Sequence, residues 1–312
     1  MRYTHRMEQI SIPETAHALR ETPQKAMNFA EGKYREKILS VCRELESREA
    51  KVLLLTGPSS SGKTTTAKMI AAELKNRGSR VNRISLDNFY KSLDELPLWE
   101  DGSRNCESVE GLDIACFAEC MEQLLREGRA GFPIYDFSVK RRLDTRKELL
   151  YDEHTYVVVE GIHALNPLIS GALHGRPCLQ VYISVHSDFL DGAGNVRLAA
   201  RDLRLMRRIV RDFHFRATPV METLRMWDYV LKGEELYIHP FRERADLHIN
   251  STHFYEPFLY REKLLEILDG AQGDSPWNAT VRRLIKDEET FFPIDSRLVP
   301  RYSLIREFIG LE

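Results

Sequence analysis

The sequence predicts an α/β protein in which helices cover both faces of a mainly parallel β-sheet. Two observations lead to this fold class. From residue 52 onward, apolar segments of strand length alternate with segments that have the spacing of amphipathic helices. The apolar segments are continuous runs, which is the pattern of parallel strands buried on both faces. Ligands bind such sheets at the carboxyl ends of the strands, so we expect the functional residues there.

Five segments are expected to form strands. They are residues 52–56, 81–86, 156–159, 179–185 and 247–250. A helix over residues 63–77 is expected after the first strand, with Gly78 at its end. Asp113 is expected to cap another helix, which Gly128 terminates. Helical segments are expected to follow the last strand.

Residues 1–50 are predicted to form an N-terminal helical extension. Four apolar side chains in this segment are spaced i, i+3, i+4 and i+7, which makes one apolar helix face. They are Ile38, Val41, Cys42 and Leu45. We expect this face to pack on the rest of the chain, and self-association into a homo-oligomer is the alternative. Residues 51–312 are predicted to form one domain with a C-terminal helical segment.

Composition argues against several classes of protein. Lysine and arginine total 45 against 47 aspartates and glutamates, a net charge of −2, which disfavours a protein devoted to nucleic acid. The five cysteines form no C-x-x-C pair, so we expect no disulfide framework or zinc site. Residues 1–6 lead into no apolar core of signal-peptide length, and no apolar run has membrane-spanning length. We therefore expect a cytoplasmic protein without a membrane partner.

A phosphate-binding motif follows the first predicted strand. Residues 57–64 fit the pattern G-x-x-x-x-G-K-[ST]. In this motif the glycines let backbone N–H groups turn toward phosphate, the lysine reaches the β- and γ-phosphates, and the last hydroxyl binds Mg²⁺. The motif predicts a nucleoside triphosphate site. The residues expected to contact the nucleotide are Gly57, Ser59, Ser60, Ser61, Gly62, Lys63, Thr64 and Thr65.

Two carboxylates follow or end other predicted strands, namely Asp87 and Glu160. Asp87 is expected to accept the proton of an acceptor hydroxyl, to help hold Mg²⁺, or to do both. A turn or helix-capping aspartate is the alternative. A carboxylate that ends a buried strand beside a phosphate site suits Mg²⁺. Thr64, Asp87 and Glu160 are therefore the predicted metal ligands.

An arginine-rich helix is predicted near residue 200. Seven arginines lie between Arg197 and Arg216, and Arg204, Arg208 and Arg211 share one helical face. Arginine on a mobile helix can close over a nucleotide and stabilise charge on the phosphoryl group in transfer. We expect a lid helix, and the alternative is a set of solvated surface arginines.

Residues 133–137 are predicted to form a turn that carries two aromatic side chains, Tyr135 and Phe137. Such a turn could hold a planar base or a sugar, and a packing loop is the alternative. Lys140 and the two arginines after it give the turn a cationic side.

Together these motifs resemble the uridine kinase and phosphoribulokinase family. They occur in the order seen in that family and span residues 50–216. They are residues 57–65, Leu86-Asp87-Asn88-Phe89-Tyr90, Tyr135-Asp136-Phe137, Glu160-Gly161-Ile162 and Arg207-Arg208-Ile209-Val210-Arg211-Asp212. Later segments, including residues 305–310, resemble a bacterial subgroup of uridine kinase-like nucleoside kinases.

The resemblance implies a P-loop NTPase fold of three α/β/α layers, with the arginine-rich helix as a lid and helical terminal extensions. It implies a kinase that uses ATP or GTP with Mg²⁺ to phosphorylate a nucleoside 5′-hydroxyl. The residues implied to act in catalysis are Asp87 as the base, Lys63, Arg208 and Arg211. Those implied to bind the acceptor are Asp87, Tyr90, Tyr135, Phe137, Lys140, Arg208 and Arg216.

Three positions depart from authentic uridine kinases. The histidine expected three residues after Phe137 is Lys140, and the glycine expected after the lid arginine is Ala217. The expected Phe-Asp-His-Pro segment is Cys106-Glu107-Ser108-Val109. A site that lacks the hydrogen bonds that select a base cannot be assumed to select it. A sugar phosphate or another alcohol as acceptor therefore stays open, as does a nucleotide-binding regulatory module that contacts RNA. Nucleic acid is the less expected partner.

Overall fold

Strands and helices alternate along residues 6–271 and 276–310, which the computed structural model describes. The strands are β1 (Glu8–Ser11), β2 (Val52–Thr56), β3 (Arg80–Ser85), β4 (Arg129–Asp136), β5 (Arg141–Leu150), β6 (Thr155–Glu160), β7 (Cys178–Ser184), β8 (Ser187–Leu190), β9 (Val196–Leu198) and β10 (Leu247–Asn250). The α-helices are α1 (Ile12–Glu21), α2 (Pro23–Ser47), α3 (Lys63–Asn76), α4 (Ile114–Glu127), α5 (Pro167–Gly171), α6 (Ala200–Arg216), α7 (Val220–Tyr237), α8 (Glu256–Asp269), α9 (Asn278–Glu288) and α10 (Arg306–Ile309).

Five of the strands form one parallel sheet in the order β10-β7-β2-β6-β3. The central strand β2 is buried along its whole length. The register pairs Glu160, at the end of β6, with Leu55 of β2 on one side and Ser85 of β3 on the other. The carboxyl ends of β2, β3 and β6 therefore meet at one edge of the sheet.

Alternate residues of β2 face two separate hydrophobic cores. Leu53 and Leu55 belong to a core that includes side chains of α2, α3 and α6. Val52 and Leu54 belong to a second core, which includes side chains of α4 and α5. Both faces of the sheet are thus covered by helices. This arrangement confirms the predicted α/β/α fold class.

The strands predicted for residues 52–56 and 247–250 are confirmed to the residue. The other three predicted strands are also present, and each of their ends differs by one residue. At the start of α4, Asp113 accepts a hydrogen bond from the backbone N–H of Cys116. At its end, Gly128 has a φ of 77°, in the left-handed region that favours glycine. Both predicted helix boundaries are therefore confirmed.

The turn expected over residues 133–137 is wrong. β4 continues to Asp136 and pairs antiparallel with β5, with an irregular register between Pro133 and Tyr135. The turn of this hairpin comes later, and Lys140 has a positive φ of 53° in it. Sequence reasoning misses the hairpin because β5 is exposed along nearly its whole length. A strand exposed on both faces carries no apolar pattern from which its pairing could be predicted.

A second small sheet, which the sequence analysis does not predict, has the strand order β1-β8-β9. β1 pairs parallel with β8, and β8 pairs antiparallel with β9. Each of these strands has three or four residues, which is too short for a readable periodicity. The sheet attaches the start of the described chain to the segment that precedes α6.

The apolar face predicted for the N-terminal extension lies on α2. Its four side chains are buried in the same core as Leu74 of α3. The extension therefore packs against the helices that cover the parallel sheet. The domain division between residues 50 and 51 stays a prediction.

All five cysteines are free. Across residues 6–271 and 276–310, no helix is long and apolar enough to cross a lipid bilayer. The prediction made for residues 1–6 lies outside the described residues, except at Arg6.

Candidate active site

The phosphate loop, residues 57–62, connects β2 to α3 through an unusual backbone conformation. Gly62 has a φ of 88° directly before the first residue of α3. A Cβ atom at Gly57 would collide with the carbonyl oxygen of Ile183 in β7. Ser60 has a φ of 61° although it carries a side chain, and Ser61 is fully buried. The loop thus turns tightly into the positive end of α3, as the motif requires.

Lys63 is the first residue of α3, and its amine lies near carboxylates. Its Nζ donates a hydrogen bond to the carbonyl oxygen of Pro58 at 3.0 Å. Burial lowers the pKa of Lys63, whereas the charges of Glu160 and Asp87 raise it. A partly desolvated ammonium group in this position suits an anionic ligand such as a phosphate.

Asp87 lies in a 3₁₀ turn, Leu86–Phe89, that directly follows β3. Burial raises the pKa of Asp87, and the positive charges of Lys63 and Arg216 act against that rise. The fold therefore brings Asp87 to the same edge of the sheet as the phosphate loop.

Thr64 and Glu160 are in direct contact. The Thr64 hydroxyl donates to Glu160 Oε1 at 3.4 Å. Burial raises the pKa of Glu160, as does the charge of Asp87, and Lys63 opposes the rise. A hydroxyl and two carboxylates are the hard oxygen donors that Mg²⁺ prefers, so this set fits the ion.

No group of three or more His, Cys, Asp or Glu residues in the described chain could hold a metal ion by itself. This finding agrees with the way Mg²⁺ binds in phosphoryl-transfer sites. There the ion takes one or two protein ligands, several waters and the phosphates of the substrate. Thr64 and Glu160 could supply the protein ligands of such a site, with Asp87 beside them.

The arginine-rich helix α6 lies against the phosphate loop. Arg204 Nε donates to the carbonyl oxygen of Ser59 at 3.0 Å, and Arg208 Nη1 donates to Ser59 Oγ at 2.8 Å. Arg207 Nη1 donates to the carbonyl oxygen of Ser60 at 3.2 Å. These three arginines are buried, so the alternative of solvated surface arginines is wrong for them.

Asp212, also on α6, joins the three arginines that the resemblance assigns to phosphate and acceptor. Its carboxylate lies 3.2 Å from Arg208 Nε, 3.1 Å from Arg211 Nη2 and 3.3 Å from Arg216 Nη1. Asp212 is buried, and sequence reasoning leaves its role out. The i, i+4 spacing from Arg208 and to Arg216 is the signal from which it could be found.

The aromatic residues predicted to bind the acceptor form a chain of ring contacts. The rings of Tyr90 and Tyr135 lie 6.3 Å apart, and those of Tyr135 and Phe137 lie 5.0 Å apart. The Tyr90 hydroxyl donates to the carbonyl oxygen of Cys106 at 2.9 Å. Phe137 is 63% exposed, and Lys140 is also exposed on the hairpin turn. Tyr90 and Tyr135 thus lie near Asp87 in the fold, whereas Phe137 and Lys140 lie on the surface.

Glu107 is a candidate site residue whose role the sequence does not predict. A Cβ atom at Gly233 would collide with Glu107, so α7 lies directly against this side chain. Burial raises the pKa of Glu107 to about 7, and the charge of Arg208 acts against that rise. The charge of Glu234 adds to the rise, and Lys63 opposes it. Glu107 thus lies within electrostatic reach of the phosphate-loop lysine.

Residues from both ends of the described chain also contact the start of α3. The Thr65 hydroxyl donates to Glu307 Oε2 at 2.6 Å. The hydroxyls of Tyr34 and Thr66 lie 2.6 Å apart, and Thr66 in turn donates to the carbonyl oxygen of Gly62 at 2.7 Å. Sequence reasoning misses these contacts because they join positions remote along the chain.

A cavity of about 430 Å³ lies between α6 and α7. Arg204, Glu234 and His239 are among its lining residues, and Lys63 and Asp87 are not. The motif residues, rather than this cavity, therefore mark the candidate active site.

Comparison with known proteins identifies the family. Residues 52–254 match the model of the phosphoribulokinase / uridine kinase family. The chain belongs to this family. The match covers the parallel sheet, the phosphate loop and the arginine-rich helix.

Similar proteins agree with this assignment. The chain is 27% identical to a uridine kinase of Bacillus pumilus over 63% of this chain and 84% of the relative. It is 26% identical to a uridine kinase of Mycoplasma genitalium over 63% of this chain and 83% of the relative. A crystal structure from Silicibacter sp. TM1040, provisionally described as a fructose transport system kinase, matches with a TM-score of 0.52 and 17% identity, covering 68% of this chain and 98% of that one. The protein is thus a phosphotransferase, a kinase that acts on an alcohol.

Proposed function

We propose that the protein transfers the γ-phosphoryl group of ATP to the 5′-hydroxyl of a nucleoside. One observation carries this proposal. The side chains of Lys63, Asp87 and Glu160 lie within electrostatic reach of one another at the end of the phosphate loop. One cation for phosphate and two carboxylates for a proton and a metal ion are the groups that phosphoryl transfer to an alcohol needs.

Asp87 is the proposed base. The acceptor hydroxyl gives its proton to the Asp87 carboxylate while its oxygen bonds to the γ-phosphorus. The bond from that phosphorus to the bridging oxygen then breaks, and ADP leaves. The raised pKa of Asp87 supports this role, because a carboxylate whose pKa is closer to neutrality accepts a proton more readily.

Lys63, Arg208 and Arg211 are proposed to balance the charge of the phosphates. Such positioned cations stabilise the transferred group without reorganisation during the reaction. Thr64 and Glu160, with Asp87, would hold Mg²⁺. When bound, the ion neutralises charge on the β- and γ-phosphates.

The acceptor is proposed to lie against Tyr90 and Tyr135. Their rings offer the apolar faces that a planar base prefers. Glu107 is proposed to accept hydrogen bonds from sugar hydroxyls, and Arg216 to neutralise charge near Asp87. Phe137 and Lys140 would reach the acceptor from the exposed hairpin turn.

A phosphorylated sugar is the second candidate acceptor. The observation that favours it is the cationic hairpin turn, in which Lys140 and Arg141 are both exposed. Two exposed cations beside an acceptor site attract an anionic molecule more than a neutral nucleoside.

The test is ADP release in the presence of ATP and Mg²⁺ across a panel of acceptors. The panel contains uridine, cytidine, purine nucleosides, ribulose 5-phosphate, pantothenate and a blank, and the Asp87→Asn variant is the matched control. Stimulation by a nucleoside that disappears in the variant is expected. Stimulation only by the phosphorylated sugar would replace the nucleoside with the second candidate. Rates equal to the blank throughout would contradict both.

A further inference from the structure

Ser60 adopts a backbone conformation that its side chain disfavours. Its φ of 61° lies in the left-handed region, where non-glycine residues are uncommon. Gly62, two residues later, has a similar φ without that cost. Such a conformation persists only where the surrounding structure holds it in place.

Arg207 contacts Ser60 from α6. Its Nη1 donates to the carbonyl oxygen of Ser60 at 3.2 Å and to Ser251 Oγ at 3.1 Å. Its Nη2 donates to the carbonyl oxygen of Ser251 at 2.9 Å and to Glu256 Oε1 at 2.6 Å. Its Nε donates to Glu256 Oε2, also at 2.6 Å. A guanidinium group has five N–H donors, and each has a partner here.

Arg207 differs from the other arginines of α6 in its hydrogen bonding. Arg207 is fully buried, and none of its donors remains for a phosphate oxygen. Arg208, by contrast, contacts only the Ser59 side chain in the loop. An arginine whose donors are all used inside the protein fixes its surroundings and does not bind the ligand.

The guanidinium group is itself held in place. Glu256, which pairs with it twice, accepts further hydrogen bonds from the backbone N–H of His253 at 2.7 Å and from the Tyr260 hydroxyl at 3.0 Å. The guanidinium carbon also lies 4.9 Å from the centre of the Phe308 ring. The phosphate loop, the segment after β10, α8 and α10 thus together fix the orientation of the Arg207 side chain.

We propose that Arg207 is a positioning residue that holds Ser60 in its left-handed conformation and so keeps the phosphate loop in shape for the triphosphate. The inference rests on the proposed function only in that the loop binds ATP. It requires no knowledge of the acceptor.

The test is calorimetric binding of ATP with Mg²⁺, without acceptor, to the full chain. Arg207→Lys keeps the charge but cannot make all five hydrogen bonds, so we expect the Kd for ATP to rise about tenfold. Glycine adopts the left-handed conformation freely, so Ser60→Gly added to Arg207→Lys should recover about threefold or more of that loss. Because Ser60 is itself expected to contact the nucleotide, the Kd of Ser60→Gly alone is measured as the reference for the double variant.

The rescue by glycine is the readout that a merely structural role would not give. Arg283→Lys is the matched control, because Arg283 makes a two-bond pair with Asp202 of α6, at 2.6 and 3.0 Å, and its other hydrogen bond goes to Asp287 and not to the loop. It should leave the Kd unchanged. Equal losses in Arg207→Lys with and without Ser60→Gly would overturn the proposal, as would an unchanged Kd in folded Arg207→Lys.

A second variant covers the case in which Arg207→Lys does not fold. Arg207→Met with Glu256→Gln removes the guanidinium without leaving a buried carboxylate unpaired. The same loss of affinity and the same rescue by Ser60→Gly are expected, and their absence would again overturn the proposal. Failure of the unsubstituted chain to bind ATP would instead contradict the proposed function.

Discussion

The phosphate loop and the β4–β5 hairpin provide the two halves of the proposed site, and they are built in opposite ways. Buried arginines of α6 donate to the carbonyl oxygens of Ser59 and Ser60, which fixes the loop from outside. The hairpin is exposed along most of β5, and Phe137, directly after β4, is 63% exposed. One half is held by buried polar contacts, and the other extends into solvent.

This difference follows from what each half has to do. Phosphoryl transfer depends on a fixed arrangement of charges, because small displacements of the reacting groups cost large factors in rate. Selection of the acceptor depends on a few contacts, which an exposed hairpin can change without disturbing the core. We therefore expect changes in the loop half to reduce turnover with every acceptor and changes in the hairpin half to alter which acceptor is used.

The largest effect is expected at the boundary between the halves, at Asp87. Replacement by asparagine removes the proposed base, so kcat should fall about a thousandfold. ATP affinity should stay within about twofold, because the phosphate loop and the two other proposed Mg²⁺ ligands, Thr64 and Glu160, are untouched. Steady-state kinetics with the best acceptor, together with ATP calorimetry, measures both quantities. Full turnover in the folded variant would exclude Asp87 as the base.

Lys63→Ala should remove a phosphate contact on the loop side. We expect kcat/KM for ATP to fall about a hundredfold, since one charged donor to the transferred group is lost. Lys140→Ala is the matched control on the hairpin side, and it should change only the KM for the acceptor. If Lys140→Ala affected ATP as strongly as Lys63→Ala, the division into two halves would be wrong.

Tyr135→Ala should raise the KM for a nucleoside acceptor about tenfold by removing a ring contact. The KM for ATP should stay constant. Tyr135→Phe keeps the ring and should behave like the unsubstituted protein. An increase in the KM for ATP with Tyr135→Ala would show that the hairpin also shapes the loop.

The smallest effect concerns Glu107 and pH. Well below pH 4.5, its ordinary pKa, the carboxyl of Glu107 is protonated in both the folded and the unfolded chain and does not affect the free energy of unfolding. As the pH rises from 4.5 to about 7, the unfolded chain loses this proton first, so the folded state is progressively destabilised, and the penalty is constant above that range.

Glu107→Gln removes this penalty. The variant should therefore gain more in Tm at pH 8 than at pH 5, by about 3 °C in thermal melts of the chain without ligands. Glu110→Gln is the control, because Glu110 is an exposed glutamate close in sequence. A gain that is equal at the two pH values would contradict the pKa shift of Glu107.

The sequence predicts the parallel sheet and the phosphate loop because both depend on short-range patterns. The apolar run of β2 and the glycine spacing of the loop lie within about a dozen consecutive residues, where periodicity and motifs apply. For the same reason, the helical spacing of the arginines of α6 predicts that three of them share one helix face. Their burial against Ser59 and Ser60 could not be predicted, since it depends on how α6 packs.

The missed features depend on contacts between distant parts of the chain. The exposed strand β5 forms through pairing with β4 and shows no apolar period. Glu107 acquires its environment from α7, which lies more than a hundred residues later. Neither a motif nor a local propensity contains this information, because tertiary packing supplies it.

The contact between Thr65 and Glu307 has a consequence for folding during synthesis on the ribosome. The two residues are 242 positions apart, and Ser303 likewise donates to Glu31 at 2.6 Å across 272 positions. At roughly 5–20 residues per second, the phosphate loop leaves the synthesis site about 10–50 s before Glu307 does. During that interval the start of α3 lacks the contact between Thr65 and Glu307, and a nascent chain would meet ATP with an incomplete nucleotide site.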